Sequence, residues 1–369
     1  MPQIKPDLNT FANIKVVGIG GYGGNAVTRM IQSRVKGVEF IAINTDSQDL
    51  HNTLAHHKLN IGKNTTRGLG AGMNPELGRK SAEEDRQAVE ELLSGADMVV
   101  LVAGLGGGTG SGALPVIAQI ARQLGCLAIA VVTLPFEFEG PRRSQIALEA
   151  WQKIKDEVDS IITIPNDRIF NIIDKNTSIL DAFNMVDSVL RQGVQGIADL
   201  LLKPGLINVD FADVKMIMEN SGTALLGIGE ASGANRAVEA AKAAIHSPLL
   251  EISIDGARGI LFNVSGSPEM TLVEINEAAK LITQNIDRRE ARVIFGATFD
   301  ESLRRGTIRV IVIATNFSGQ LPTVSQLATK ARPSYEPATS GGKSAELKED
   351  SAGETFEIPA FLRKKLGRK

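Results

Sequence analysis

The sequence predicts an α/β protein whose first half forms a doubly wound parallel sheet. Two observations in this half favour that class. Continuous apolar runs, typical of strands buried on both faces of a sheet, occur at residues 14–20, 38–46, 97–104 and 126–133. Patterns with apolar residues three and four positions apart, typical of helices, separate them at residues 24–34, 74–95 and 112–125. Such a sheet binds its ligand beyond the carboxyl ends of the strands.

A long central helix is predicted next, at residues 177–202. Ser178, with Asp181 three residues later, has the pattern of a helix start. At about 1.5 Å per residue the helix would extend roughly 38 Å, enough to cross a domain. Gly193 and Gly196 inside it each cost about 1 kcal/mol relative to alanine, which indicates close packing against another element.

The chain after this helix mixes helical and strand-like patterns and is predicted to form a second, α+β domain. Helical patterns occur at residues 234–246 and 267–286, and strand-like runs occur at 259–266, 291–300 and 306–317. The predicted organisation is a flexible N-terminus (1–10), a first domain (11–176), a central helix (177–205), a second domain (206–317), a disordered linker (318–354) and a C-terminal docking peptide with a basic end (355–369).

The linker and the terminal peptide are predicted from composition. Residues 318–354 are rich in Ser, Pro, Gly, Lys and Glu, which is typical of disorder. Apolar character returns at Phe356, Ile358, Phe361 and Leu362, and basic residues follow. Since an apolar cluster at the far end of such a linker does not belong to the core, we predict a docking peptide, with a frayed chain end as the alternative.

The charge balance excludes a general electrostatic attraction to nucleic acid or membranes. With 40 basic and 42 acidic side chains, a charged partner must meet a local patch. The single cysteine, Cys126, rules out an intramolecular disulfide and indicates a reducing compartment. Because the N-terminus lacks an apolar signal segment and no window reaches the ~18 apolar residues of a membrane span, a cytoplasmic protein is expected.

A first glycine-rich loop, GIGGYGGNA at residues 18–26, follows a predicted strand and opens a helix. Gly18, Gly20 and Gly23 match G-x-G-x-x-G, and Asp46 falls at the end of the next strand. This combination is the fingerprint of dinucleotide binding, so a nicotinamide- or flavin-dependent oxidoreductase is one interpretation.

A second glycine-rich loop, GLGGGTGSG at residues 104–112, also follows a strand. It lacks the Gly-Lys-Ser/Thr ending of a Walker-type loop. Backbone N–H groups, together with the positive end of a helix starting near Ser111, can replace the missing lysine. Two such loops indicate a longer phosphate chain than that of a dinucleotide, whereas the alternative is a tight strand-to-helix turn.

The segment GGGTGSG resembles the signature of the tubulin/FtsZ GTPase family. The chain is similar to bacterial members of that family from Phe11 to the terminal peptide. The resemblance is also carried by GIGGYGGNAV, NTDSQDL, RGLGAGMNPELG, TLPFEFEG, PNDRIF and GLINVDFADV, which occur in the family's order. It implies that residues 11–176 bind GTP or GDP and that residues 206–317 form an activation domain.

The resemblance implies a role for each part of the nucleotide site. The implied phosphate-binding residues are Gly20, Gly21, Tyr22, Gly23, Gly24, Asn25, Gly107, Gly108, Thr109 and Gly110. The residues implied at the γ-phosphate are Ala71 and Gly72, with Asn44 and Asp46 nearby, and those at the ribose and phosphates are Glu139 and Arg143. No side chain is implied as a metal ligand, because Mg²⁺ would be coordinated mainly by phosphates and water.

Asn166, Phe183 and Asp187 are implied at the guanine. Phe183 and Asp187 are four residues apart and therefore share a helix face, where they offer a ring to stack and a carboxylate for the guanine N–H groups. By pattern alone, Phe183 also fits a core position and Asp187 a solvated charge.

The segment NVDFADV is implied to supply the catalytic residues. Asp210 and Asp213 stand at a predicted helix start, where acids also complement the helix dipole. In the family this loop enters the nucleotide site of a neighbouring subunit, where Asn208, Asp210 and Asp213 would position and polarise the attacking water.

The resemblance therefore implies an assembly-dependent GTPase that polymerises head to tail into the cytokinetic ring at mid-cell of a dividing bacterium. Its implied partners are further copies of itself and, through residues 356–369, membrane-tethering and regulatory division proteins. The basic tail adds at most a weak attraction to the membrane surface, and no nucleic acid is expected. A nucleotide-binding scaffold without turnover is a further alternative.

Three residues depart from the family pattern. Met73 stands where a small residue is usual, which bears on γ-phosphate sensing. Leu134 and Pro141 stand where basic residues are common. Pro141 fits the first position of a helix and leaves Arg143 in place, so only the local charge is changed.

Overall fold

The computed structural model describes residues 12–171, 173–174, 176–202, 205–246, 254, 256–284, 286, 291–300 and 303–317. The predicted flexible N-terminus, linker and docking peptide lie outside the described residues. The described residues fall within one compact unit, and the domain boundaries inside it stay predictions.

Eleven strands form one sheet in the described part of the chain. They are β1 (Ile14–Ile19), β2 (Val38–Asn44), β3 (His57–Asn60), β4 (Met98–Gly104), β5 (Leu127–Leu134), β6 (Ser160–Pro165), β7 (Gly205–Ile207), β8 (Gly222–Ser232), β9 (Ala257–Gly266), β10 (Arg292–Phe299) and β11 (Thr307–Phe317). The spatial order is β3-β2-β1-β4-β5-β6-β8-β11-β9-β10-β7.

The helices pack on both faces of this sheet. They are α1 (Gly20–Gln32), α2 (Ser47–Asn52), α3 (Lys63–Thr66), α4 (Pro75–Glu84), α5 (Arg86–Leu93), α6 (Thr109–Gln123), α7 (Pro141–Glu157), α8 (Ile179–Leu202), α9 (Phe211–Met218), α10 (Arg236–Ile245) and α11 (Leu272–Ile282). Two short 3₁₀ turns occur at Glu137–Glu139 and Asn166–Asn171. None of the helices in the described ranges is both long and apolar enough to cross a membrane.

The parallel half of the sheet confirms the predicted fold class. Strands β3, β2, β1, β4, β5 and β6 pair in parallel, and β6 pairs in parallel with β8. The apolar runs are continuous because helices cover both faces: Val16 and Val100 pack with α1 and α8, whereas Val17 and Leu101 pack with α4 to α7.

The second half of the sheet is mixed, as an α+β arrangement requires. Strand β11 is antiparallel to β8 and β9, β9 and β10 are parallel, and β7 is antiparallel to β10. A third apolar cluster joins these strands to α10 and α11.

The central helix α8 packs closely on the second half of the sheet. A side chain at Gly193 would collide with Leu226 of β8, and one at Gly196 would collide with Ile311 of β11. The predicted close packing at both glycines is therefore confirmed. Ser178 accepts the N–H of Asp181 (3.1 Å), which also confirms the predicted helix start.

The single helix predicted at residues 74–95 is wrong, because the structure contains two helices, α4 and α5, that meet at Asp85. The carboxylate of Asp85 accepts the backbone N–H of Gly62 at 2.6 Å. This contact between residues distant in the sequence holds the chain where the two helices meet. The spacing of apolar residues gives no information about it.

Candidate nucleotide-binding site

A cavity of about 390 Å³ lies beyond the carboxyl ends of β1, β4, β5 and β6. Its position is that expected for a ligand of a doubly wound sheet, and its volume suits a small molecule. The predicted residues that line it are Gly20, Gly21, Tyr22, Gly72, Gly107, Gly108, Thr109, Gly110, Glu139, Arg143, Asn166 and Phe183.

Two helix N-termini meet at one end of the cavity. Helix α1 begins at Gly20, directly after β1, and α6 begins at Thr109, within the second glycine loop. The first N–H groups of a helix have no intrahelical acceptor, and the helix dipole places partial positive charge at the same end. Both features bind anionic oxygens without a lysine.

The second glycine loop is held in shape by its own polar groups. The Ser111 hydroxyl accepts the Gly106 N–H at 2.9 Å, and the Thr109 hydroxyl lies 2.7 Å from that of Thr45. The Gly108 N–H donates to the Gly72 carbonyl at 2.7 Å. The loop is therefore fixed before any ligand binds.

Gly108 is required by the close approach of the loop at residues 71–72. A Cβ built on Gly108 would lie 2.8 Å from the Ala71 carbonyl oxygen and closer still to that of Gly72. Backbone atoms cannot yield as a flexible side chain does. This glycine therefore joins the predicted γ-phosphate loop to the second glycine loop.

The middle of the cavity contains a carboxylate and a guanidinium. Glu139 accepts the Phe136 N–H at 2.9 Å and forms a 2.5 Å ion pair with Arg143. Arg143 lies in the first turn of α7, which starts at Pro141, so the predicted position of this proline is confirmed. Both charged side chains can contact the polar part of a nucleoside.

The other end of the cavity suits an aromatic base. Asn166 is buried, and its Oδ1 has no hydrogen-bond partner among the described residues. Phe183 lines the cavity and meets the buried Phe136 edge to face, at a centroid distance of 5.3 Å. Asp187, on the same helix, is buried in an ion pair with Arg29 of α1.

Some predicted residues lie outside the cavity lining, namely Gly23, Gly24, Asn25, Asn44, Asp46, Ala71 and Asp187. Asp46 caps α2, since its carboxylate accepts the N–H groups of Gln48 (2.9 Å) and Asp49 (3.0 Å). Asn44 donates to Asp49 at 2.7 Å. These side chains support the loop that borders the first glycine loop.

Asp49 was missed by the sequence analysis. Its Oδ2 lies 3.1 Å from the position that a Cβ on Gly21 would take, next to the predicted phosphate end. Burial, and then the charge of Asp46, raise the pKa of Asp49, while the hydrogen bond from Asn44 lowers it. A carboxylate at this place opposes the binding of an anion.

Gly104, Leu105, Thr133 and Pro135 also line the cavity and were not predicted as site residues. Gly104 and Thr133 lie at or next to the carboxyl ends of β4 and β5. Their position at the ends of predicted parallel strands was the signal that could have identified them.

The predicted catalytic residues follow the far end of α8. Asn208 accepts the Gly205 N–H at 2.7 Å, Asp210 immediately precedes α9, and Asp213 lies in its first turn. Asp210 is exposed and Asp213 is half-buried. In the described part of the chain, neither carboxylate makes a side-chain hydrogen bond or ion pair.

These acids are distant from the cavity of their own chain. From Phe183, at the cavity, α8 extends about 28 Å to Leu202. A Cβ on Gly37 would lie 2.6 Å from Leu202, and Gly37 precedes β2 at the amino edge of the parallel sheet. The cavity lies at the opposite, carboxyl edge.

Two family models match the chain. Residues 13–174 match the GTPase domain of the Tubulin/FtsZ family, and residues 222–318 match the FtsZ family C-terminal domain. The chain belongs to this family. It is therefore a GTPase that binds GTP and GDP, and the family resemblance carried by GGGTGSG is confirmed.

Solved structures support the assignment. FtsZ from M. jannaschii, solved as an empty dimer, is 44% identical, with a TM-score of 0.80 over 84% of this chain and 89% of that chain. CetZ2 from Haloferax volcanii, solved as a GTPgS-bound protofilament, is 21% identical, with a TM-score of 0.71 over 86% of this chain and 97% of that chain. The second likeness shows the fold alone.

Proposed function

We propose that this GTPase polymerises head to tail, and that the loop after α8 of one subunit completes the nucleotide site of the next. The polymer forms the cytokinetic ring at mid-cell of a dividing bacterium. A 44% identical relative solved as a dimer supports self-association.

The observation that carries the proposal is the distance between the cavity and the carboxylates. Asp210 and Asp213 lie beyond the far end of α8, at the opposite edge of the parallel sheet from the glycine loops. A subunit cannot bring these acids to its own phosphates. A neighbour stacked in the same orientation along α8 can.

The roles within the site follow the chemistry of each end. The phosphates are bound by N–H groups of both glycine loops, other than those of Gly106 and Gly108, which donate to Ser111 and Gly72. Glu139 and Arg143 bind the sugar and phosphates, and Asn166, Phe183 and Asp187 bind guanine. The neighbour's Asn208, Asp210 and Asp213 orient the attacking water, a task that consists mainly of positioning.

Magnesium would accompany the nucleotide and would be held mainly by phosphates and water. In the described part of the chain, the hydroxyls of Thr109 and Ser111 bind protein groups and the carboxylate of Asp46 caps α2, so these side chains are already engaged. Mg²⁺ readily keeps several waters when phosphates supply its other ligands. The ion would neutralise charge that develops on the phosphates.

Head-to-tail assembly would bring the cavity end of one subunit against the catalytic-loop end of the next. Exposed apolar side chains occur near both of these surfaces. Phe138 and Phe170 are exposed and contact the ring of Phe136, beside the base end of the cavity. Leu206 of β7 is exposed in the segment that leads to the proposed catalytic loop, and Leu272 is exposed at the start of α11. Burial of these two surfaces against each other would favour head-to-tail assembly.

The chain divides into segments with separate roles. Residues 11–176 form the GTP-binding domain, 177–205 the central helix, and 206–317 the activation domain. The linker at 318–354 gives the peptide at 355–369 reach toward tethering and regulatory division proteins. The protein acts in the cytoplasm, and the membrane is reached indirectly.

Mixing two inactive variants tests the shared site. Asp213→Ala keeps the cavity but removes a water-orienting carboxylate, so hydrolysis should fall on the order of a hundredfold while GTP affinity is retained. Gly107→Leu keeps the catalytic loop, and the added side chain should take up cavity space, since no protein atom lies within 4 Å of a Cβ at this position.

Phosphate release from the mixture should exceed the sum of the two separate variants. Wild-type hydrolysis should also show a critical protein concentration, since a monomer lacks the neighbour's loop. Turnover that stays linear down to dilute monomer, or a mixture no more active than the sum, would refute the shared site. GTP binding and filament formation without turnover in the wild type would favour a scaffold.

A further inference from the structure

Tyr22 places an aromatic ring in the cavity, a feature that the glycine pattern of the first loop does not predict. Tyr22 belongs to the first turn of α1 and lines the cavity. A Cβ built on Gly104 would lie 2.8 Å from Tyr22 Cγ, 2.9 Å from its Cβ and 3.1 Å from its Cδ1. The ring therefore crosses from α1 over Gly104, at the end of β4.

The strand order places this ring between the two ends of the nucleotide site. Strands β1, β4, β5 and β6 are consecutive neighbours at a spacing of about 4.8 Å. The glycine loops follow β1 and β4, Thr133 lies near the end of β5, and Asn166 follows β6. A group that joins the phosphates to the base must pass over Gly104 and Thr133.

The ring, and not the hydroxyl, faces the ligand space. The hydroxyl oxygen of Tyr22 is buried and has no hydrogen-bond partner of good geometry among the described residues. Burial raises the pKa of this phenol well above its usual range, while the Thr133 hydroxyl and the charge of Arg29 lower it and Glu139 raises it. The raised pKa favours the neutral phenol.

We propose that the ring of Tyr22 is the surface on which the pentose of the bound nucleotide packs, and that Gly104 is a glycine so that the ring can lie beneath the sugar. The C–H groups of a pentose form an apolar face that an aromatic ring covers well. This assignment rests on the proposed phosphate and base ends of the site.

In this proposal, Gly104 and Tyr22 act together. A methyl group at Gly104 would displace the ring toward the space of the sugar, since the three nearest atoms to that methyl all belong to Tyr22. Gly104→Ala should therefore weaken nucleotide binding more in the wild type than in Tyr22→Ala, which keeps only the Cβ atom, 2.9 Å from the added methyl group.

Dissociation constants of GTP, GDP and inorganic triphosphate test the proposal with four variants. Tyr22→Ala should weaken the binding of GTP and of GDP equally, by about tenfold, which corresponds to about 1.4 kcal/mol. It should leave the binding of inorganic triphosphate unchanged. Tyr22→Phe should stay within about twofold of the wild type, because it keeps the ring. Gly104→Ala should lose at least as much as Tyr22→Ala, and in the double variant the two losses should combine to less than their sum.

Three results would overturn the proposal: GTP binding by Tyr22→Ala that equals or exceeds that of the wild type, an equal loss in Tyr22→Phe, or additive losses in the double variant. Trp151 reports the fold, because its Nε1 donates to Thr163 of β6 at 2.8 Å. Wild-type protein that prefers triphosphate to GTP would instead contradict the proposed base end, whatever the Tyr22 variants do.

Discussion

Arg29 of α1 and Asp187 of α8 form an ion pair beside the base end of the cavity. Asp187 is only 7% exposed, so its carboxylate is held between two helices by a positive charge. A base that binds this carboxylate must do so next to Arg29. The pair thereby joins α1, which follows the first glycine loop, to the helix that leads to the proposed catalytic loop.

Asp187→Asn should change the base preference. In the proposed site the carboxylate accepts hydrogen bonds from the N1–H and N2–H₂ groups of guanine, whereas an amide offers one acceptor and an N–H₂ donor that suits the 2-oxo group of xanthine. Loss of a charge-assisted pair should weaken GTP on the order of tenfold to a hundredfold and improve XTP. Competition between GTP and XTP measures the preference.

Arg29→Lys is the matched control, because it keeps a positive charge beside Asp187 while the acceptor oxygens are unchanged. It should retain the preference for GTP over XTP. A clear preference for GTP in Asp187→Asn would exclude this carboxylate from guanine recognition.

Gly108→Ala should abolish retention of GTP. The methyl group would collide with the backbone of Ala71 and Gly72, so the loop predicted at the γ-phosphate must move. The unfolding temperature should fall as well. Nucleotide released from purified protein, and a thermal melt, measure the two effects.

Gly107→Ala is the control that adds a methyl group without a collision. Gly107 lies one residue before Gly108, and no protein atom is within 4 Å of a Cβ there, so the unfolding temperature of this variant should match that of the wild type. If Gly108→Ala binds GTP with unchanged affinity, the proposed phosphate cradle is wrong.

The strands that the sequence predicted are those with long apolar runs covered on both faces, such as β4 and β5. The sequence analysis did not identify β3, β6, β7 or β8. β3 is short and partly exposed, β7 has three residues, and β8 contains three glycines, so neither apolar runs nor alternation marks these three strands clearly. Their pairing depends on neighbours that are distant in the chain.

Within the site, the glycine loops could be predicted because their spacing carries their chemistry. The hydrogen bonds that polar groups make inside the protein could not be predicted. The capping of α2 by Asp46 and the bond from Gly108 to Gly72 depend on loops brought together by the fold. The residue identities in the first loop gave no sign that the Tyr22 ring would lie over Gly104.

Glu274→Gln should reduce stability at neutral pH and remove part of the acid sensitivity. Glu274 of α11 pairs with Arg236 of α10 at 2.6 Å, and the Arg236 hydrogen bond holds the pKa of Glu274 below its ordinary value of 4.5. A lowered folded-state pKa stabilises the fold above the ordinary value, and this stabilisation is lost as pH falls through the lowered pKa. Urea unfolding at several pH values measures it.

The difference in unfolding free energy between wild type and Glu274→Gln should therefore be largest at neutral pH and shrink toward pH 3. Glu277→Gln neutralises an exposed carboxylate on the same helix and should show a much smaller difference. A difference in unfolding free energy that stays constant with pH would mean that Glu274 acts through packing and not through its charge.

Asp49→Asn should strengthen GTP binding. Asp49 borders Gly21 in the proposed phosphate cradle, and its negative charge opposes that of the phosphates. Asparagine keeps an acceptor for the hydrogen bond from Asn44. GTP affinity should rise severalfold at low salt, and the gain should shrink as salt screens the charges, over a distance of about 10 Å at 0.1 M.

The same substitution has a consequence for stability that can be measured without nucleotide. Burial and then Asp46 raise the pKa of Asp49 above its ordinary value of 3.8, so the folded protein binds this proton more tightly than the unfolded chain. Stability contributed by the protonated form is lost as pH rises through the raised pKa, and Asp49→Asn should avoid that loss and be the more stable protein at pH 7.

Glu91→Gln, which removes a negative charge from an exposed position on α5, is the control for net charge in the GTP-binding measurement. Equal gains in GTP affinity for the two variants, or no gain in Asp49→Asn, would show that Asp49 exerts no local field on the phosphates.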